Sequence, residues 1–167
     1  MQRRRFLLSS SLMLTTGAAT AATAEPVRAV LAGQTLEGQA YDLRQDQGKV
    51  VLVFFWATDC PVCRDKMPEL RANYEGWRDK GFQLLAVNVD KALEAVLGYD
   101  KILNRVVPVT QQFPWLWRGA PTHRDNFGSI AHTPTSFLVN RRGVVVKEFR
   151  GRIEAGLWDD IAELVLA

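Results

Sequence analysis

The chain has 167 residues, of which 47% are apolar and 23% charged, with a formal net charge of +3. Three of its 21 Lys and Arg residues, Arg3, Arg4 and Arg5, precede Ala24, whereas all 18 Asp and Glu residues follow it, so residues 25–167 are formally neutral. The basic excess therefore belongs to the extreme N-terminus and is no argument for a nucleic-acid or acidic-lipid partner. The remainder is a normal size for one domain with its own core, and neither an internal repeat nor a low-complexity linker interrupts it.

The N-terminus, MQRRRFLLSSSLMLTTGAATAATAEP, joins a basic head to a short apolar region and an Ala22-Thr23-Ala24 site. These are the parts of an export signal, with cleavage expected after Ala24. QRRRFLL also has twin-arginine character, and both the twin-arginine and the ordinary secretory route fit, as does an uncleaved anchor. The apolar part is too short and too rich in Ser and Thr for a comfortable membrane span. Residues 25–49 carry two turn signals, Ala32-Gly33-Gln34 and Glu37-Gly38-Gln39, and predict a β-hairpin of Val27–Leu31 and Gln39–Leu43 ahead of the core.

Val50 to Trp56 is an unbroken run of β-branched, aromatic and aliphatic residues, the pattern of a strand buried on both faces. After Ala57-Thr58-Asp59, apolar residues recur at Met67, Leu70, Tyr74 and Trp77, which lays one stripe along a helix. Pro61 suits the first helical position, where its missing N–H has no partner to lose, and makes Cys60 the N-cap. Unpaired N–H groups and the positive end of the helix dipole then favour thiolate at Cys60, the expected nucleophile. Cys63 lies three residues on, on the same side of the first turn, placed to resolve a mixed disulfide formed at Cys60. These are the only cysteines. A disulfide serving only as a staple would close a very short loop and gain little, and His123 and His132 have no spacing that completes a zinc site with them.

Gly81 is a helix stop ahead of a second buried strand, Phe82–Val89. Strand, helix and strand in this order imply parallel pairing through a crossover. Ala92 to about Arg105 reads as a helix interrupted at Gly98, and Gln111–Phe127 as the least regular part of the chain. Its Trp115 and Trp117 either cover the sheet edge or form an apolar lip that grips a partner peptide. In AHTPTSFLVN, Pro134 opens a β-branched and aromatic strand, where it forfeits a ladder hydrogen bond. A turn at Arg142-Gly143, a strand Val144–Arg150 and a helix Ala155–Leu166 burying Leu157, Ile161, Leu164 and Val165 complete the order. His132 reads as an exposed loop histidine, with a proton shuttle or copper ligand as the sharper alternatives.

The segment FFWATDCPVCRDKMPEL resembles the active-site segment of the thioredoxin superfamily, and within it the exported TlpA-like group that includes the ResA and CcmG/DsbE reductases. HTPTSFLVNRRG resembles that family's cis-proline strand, and LEGQAYDLRQDQGKVVLVFFW its N-terminal extension. The resemblance covers nearly all of residues 25–167 and implies a thioredoxin fold, a mixed α/β sheet flanked by helices behind a β-hairpin. It implies that Thr133–Pro134 is cis and lies against a redox-active Cys60–Cys63 disulfide, with the Thr133 backbone available to an extended client. Three positions depart from the family pattern. Asp59 stands where Trp usually precedes the first cysteine, Lys66 where ResA-like and CcmG-like members often have Glu, and Phe54 where thioredoxin has a buried Asp. Asp65 or Glu69 could replace the missing carboxylate, and Asp59 and Lys66 are candidates for tuning the cysteine pKa in opposite directions.

These residues predict a periplasmic thiol–disulfide oxidoreductase, with Cys60 and Cys63 catalytic, Trp56, Pro61, Thr133 and Pro134 in support, Trp115 a further wall of the client groove, and no cofactor beyond the disulfide. The resemblance implies a reductase that serves apocytochrome c or copper-site cysteines and draws electrons from a DsbD-like or CcdA-like membrane partner. A disulfide oxidase or isomerase, and a copper-binding chaperone using Cys60, Cys63 and His132 or a methionine, are the rival readings. A peroxidase is a weaker one, because Thr58-Asp59-Cys60 lacks the Thr-x-x-Cys spacing of peroxiredoxins. A protein client and a monomer complete the expectation.

Overall fold

The computed structural model describes residues 27–167, so the expected export signal lies outside the described residues. A five-stranded sheet forms the centre, in the order β5 (Trp115–Trp117), β4 (Phe82–Asn88), β3 (Val50–Trp56), β7 (Thr135–Val139), β8 (Val145–Arg150). β3, β4 and β5 run parallel, while β7 and β8 are antiparallel to their neighbours. A second, antiparallel sheet places β1 (Leu31–Gln34) between β2 (Ala40–Asp42) and β6 (Arg124–Asp125). The helices are α1 (Pro61–Trp77), α2 (Leu93–Leu103) and α3 (Gly156–Leu166).

The bounds of β3 are those its apolar run predicts, and all seven residues are buried. Alternation divides them between two cores. Val50, Leu52, Phe54 and Trp56 face the helices and pack with Cys63, Met67, Leu70 and Tyr74 of α1 and with Leu157, Ile161 and Val165 of α3. Val51, Val53 and Phe55 face the small sheet and meet Leu31, Tyr41, Leu43, Phe127 and Phe137. A strand covered on both sides has no solvated face on which polar residues could alternate, hence the continuous apolar sequence. α1 is followed by a 3-10 turn, Arg78–Lys80, which Gly81 ends at φ +89°, a backbone conformation that a side chain resists, delivering the chain into β4.

Four expectations are corrected. Ala32-Gly33-Gln34 is not a turn but the body of β1; the reversal comes at Thr35–Gly38, where Gly38 N–H donates to Thr35 C=O at 2.9 Å. Gly33 serves close approach instead, since a Cβ there would sit 3.3 Å from His123 Nδ1 and Leu116 Cδ2. α2 runs through Gly98 without interruption. The irregular stretch 111–127 contributes two short strands, β5 and β6. Leu164 is only partly buried in α3, where Leu157, Ile161 and Val165 make the inward face.

Candidate active site

α1 begins where the sequence places it. Pro61 is its first residue and Cys60 its N-cap, in extended conformation at φ −86° and ψ 104°. Cys60 and Cys63 form a disulfide with a Cα–Cα distance of 5.3 Å. The Cys63 N–H donates to Cys60 Sγ at 3.1 Å, so an open end of the helix is aimed at the first sulfur. The two cysteines differ in exposure, Cys60 at 7% and Cys63 at 0%. A reactant arriving from solvent meets Cys60 first.

The turn that carries Cys60 out of β3 is held from β4. Cys60 N–H donates to Ala57 C=O at 3.2 Å, and Val89 N–H to Trp56 C=O at 2.9 Å. Thr58 N–H donates to both carboxylate oxygens of Asp90, at 3.0 and 3.3 Å. Asp90 is in turn gripped by Asn88, whose amide donates to Oδ2 at 3.0 Å and whose side-chain oxygen accepts from Asp90 N–H at 3.0 Å. Neither Asn88 nor Asp90 stands out in the sequence, because the contact to Thr58 spans 32 residues.

Trp56 is fully buried and Trp115 4% exposed, so both form the floor of the site rather than open walls of a groove. Their rings meet edge to face at 4.7 Å, and Tyr99 stacks on Trp115 at 6.1 Å. Of the two readings of Trp115 and Trp117, the sheet edge is the one observed: they lie in edge strand β5, with Trp115 in the helix-side core and Trp117 packed against it. The Trp117 indole N–H donates to Asp90 C=O at 2.8 Å. Pro61 is exposed beside Cys60.

Thr133–Pro134 is cis. Phe55 pairs with Thr135, and extending this register by one residue sets Pro134 opposite Trp56, four residues before Cys60. Pro134 is buried and its C=O accepts from Gly151 N–H at 2.8 Å. Thr133 is half-buried, and among the described residues no backbone hydrogen bond uses its N–H or C=O. His132 is exposed, and its C=O accepts from Thr135 Oγ1 at 2.8 Å.

Lys66 is 9% exposed, one turn below Cys63 on the inner side of α1. Its ammonium contacts Glu69 at 2.6 Å, and the other oxygen of Glu69 accepts from the Trp158 indole at 2.7 Å. Partial burial pushes the Glu69 carboxyl up, but the Lys66 and Trp158 hydrogen bonds outweigh it and hold the group below its ordinary value. Lys66 thus spends its charge largely on Glu69. Asp65 instead meets Arg152 at the surface at 2.6 Å, Asp59 is exposed, and Phe54 is fully buried. On the opposite face of the sheet, Asp125 accepts from Arg118 at 2.7 and 2.8 Å and lies 2.8 Å from His123 Nε2. Burial pushes the Asp125 carboxyl up, yet His123, Arg118 and the Phe127 N–H together bring it down to about 2. Among the described residues no three His, Cys, Asp or Glu side chains gather as a metal site.

Residues 25–148 match the AhpC/TSA family. The chain is 30% identical over 132 residues to the thiol-disulfide oxidoreductase ResA of Halalkalibacterium halodurans, covering 79% of this chain and 71% of that protein. ResA of Bacillus thuringiensis subsp. konkukian is 30% identical over 70% of this chain and 63% of its own length. A solved thiol:disulfide interchange protein of the thioredoxin family from Chlorobium tepidum superposes with a TM-score of 0.68 at 26% identity, covering 87% of this chain and all of that one. The chain belongs to the AhpC/TSA family and, with the thioredoxin fold and a Cys-x-x-Cys disulfide capping α1, is a ResA-like thiol–disulfide oxidoreductase.

Proposed function

We propose that the chain reduces disulfides of exported proteins, with Cys60 as nucleophile and Cys63 as resolving thiol. In the reduced enzyme, Cys60 thiolate attacks one sulfur of a client disulfide, and the other client sulfur leaves as thiolate and takes a proton. Cys63, after losing its proton, attacks Cys60 Sγ; the second client thiolate departs, two electrons have reached the client and the Cys60–Cys63 disulfide is formed. The observation that carries this reading is the unequal exposure of two cysteines at one helix N-terminus, 7% against 0%, with an N–H donated to the sulfur of the more exposed one. Pro61 pre-sets the first turn, Trp56 supports the floor, and the Thr133 backbone beside Pro134, without a backbone partner among the described residues, is available to an extended client strand.

The export signal motif at Arg3–Ala24 supports a periplasmic location. Electrons would come from a membrane donor of DsbD or CcdA type, because an oxidising compartment does not supply them, and cytochrome c or copper-site cysteines are the client class. Asp59 and Lys66 would tune the pair, Lys66 weakly because Glu69 offsets its charge. The experiment is equilibration of the Cys60–Cys63 pair against glutathione or dithiothreitol buffers, with alkylated thiols read by mass. A potential near about −270 mV supports the reductase, whereas one near about −120 mV would make the protein an oxidant or isomerase.

A further inference from the structure

The cysteines themselves do not explain what holds the turn before Cys60 in register with the helix end. Ala57, Thr58 and Asp59 connect a buried strand to α1, and this short link must present Cys60 as the N-cap rather than as a loop residue. Among the described residues one backbone hydrogen bond closes the link on itself, Cys60 N–H to Ala57 C=O, and the strand end just before it is held by Val89 N–H to Trp56 C=O. The third anchor is the Asp90 carboxylate on Thr58 N–H.

Asp90 is itself held at three points, its carboxylate, its backbone N–H and its backbone C=O. Asn88, which is 0% exposed, exchanges two hydrogen bonds with Asp90, and the Asp90 C=O accepts from the Trp117 indole. Asn88 C=O accepts from Arg118 N–H at 2.8 Å, which ties the ends of β4 and β5 together behind it. The result is a rigid polar bracket at the carboxyl ends of the parallel strands, closing on the residue two before the disulfide. A charged acceptor on a backbone N–H is among the stronger hydrogen bonds, and Asp90 uses both oxygens for it.

We propose that Asp90 is a positioning residue of the disulfide site: through Thr58 N–H it holds the Ala57–Cys60 turn so that Cys60 stays aligned with the α1 N-terminus, and thereby sets the thiolate fraction and reduction potential of the pair. This rests on the reading of Cys60 as the reactive thiol. Two effects of the side chain oppose each other. Its negative charge disfavours a nearby thiolate, while its hydrogen bond keeps the sulfur over the helix N–H groups that favour one. Positioning is the larger effect, because loss of alignment removes the helix N–H at contact distance from the sulfur, while the charge acts from behind the turn and already serves two donors, Thr58 N–H and the Asn88 amide.

Two variants separate the effects. Asp90→Asn keeps an oxygen for Thr58 N–H and removes the charge; Asp90→Ala removes both. The readouts, on the reduced protein, are the pH profile of Cys60 alkylation by iodoacetamide and the Cys60–Cys63 potential against glutathione, with thermal unfolding in parallel. Asp90→Ala should raise the alkylation midpoint and slow alkylation near neutral pH by about fivefold, while shifting the potential to more reducing values. Asp90→Asn should return both toward wild type or beyond it, to a lower midpoint. If Asp90→Ala is too unstable to assay, Asp90→Ser, whose hydroxyl falls short of Thr58, takes its place. Equal changes in the Asn and Ala variants would overturn positioning, and so would a lowered unfolding temperature with unchanged midpoint and potential. Wild-type protein that equilibrates with glutathione yet fails to reduce any protein disulfide would remove the proposed client chemistry and leave this test readable.

Discussion

The two faces of the central sheet are built from the same strand and used differently. On the helix face, Trp56 and Phe54 lie under Cys60, Cys63 and the Lys66–Glu69 pair; on the other, Phe55 packs with Phe127 and Phe137 beneath Arg118, whose guanidinium lies 5.1 Å from the Phe55 ring centre. Both faces bury charge. Among the described residues only the helix face joins a helix end to the more exposed cysteine, and this teaches that a buried charge cluster alone does not mark the disulfide site. The Arg118–Asp125–His123 group satisfies its own carboxylate internally, whereas Cys60 keeps a small exposure at the helix end.

Substitutions on the two faces should separate reaction from stability. The largest effect on chemistry is Cys60→Ala, which should abolish disulfide exchange while leaving the fold intact; Asp125→Asn should lower stability while leaving exchange in the folded protein unchanged, and an insulin-reduction assay beside an unfolding curve reads both. The largest effect on stability is Leu70→Ala, which empties a fully buried site between α1 and β3 and should cost about 3 kcal/mol by chemical denaturation. Asp125 gives the face-specific pH dependence. Its carboxyl titrates at about 2 in the fold against 3.8 for the free group, so its contribution is complete above the unfolded value and is lost as pH falls through the folded one. Asp125→Asn should therefore remove about 2 kcal/mol at pH 6 and much less near pH 2, measured by urea unfolding at both. Gly33→Ala should cost about 1 kcal/mol, because His123 and Leu116 must give way by tenths of an ångström. Smallest of all, Glu69→Gln should change stability by under about 1 kcal/mol, since that carboxylate is 39% exposed.

What the sequence makes legible here is local. The bounds of β3, the cap at Cys60, the proline at the first helical position and the stop at Gly81 each follow from residues within one turn or one strand, and the structure has them where the pattern puts them. The features that escaped are held by distant contacts. β5 and β6 are three and two residues long, too short to carry a period, and exist because β4 and β1 offer them edges. Gly33 carries a turn signal, but its neighbours His123 and Leu116 come from far along the chain. Trp115 has the composition of a binding lip and the environment of a core, which distant neighbours such as Trp56, Tyr99 and Arg71 decide. The Asp90 bracket follows the same rule, as does the neutralisation of Lys66 by a Glu69 that Trp158 of α3 holds in place.

The division of labour between the two sulfurs is the central claim, and trapping tests it most directly. Reduced Cys63→Ala and Cys60→Ala variants are mixed with a protein disulfide, quenched with acid and weighed intact. A stable mixed disulfide at Cys60 in Cys63→Ala, with none in Cys60→Ala, is the predicted result; equal trapping at both sulfurs, or trapping at Cys63 alone, would contradict it.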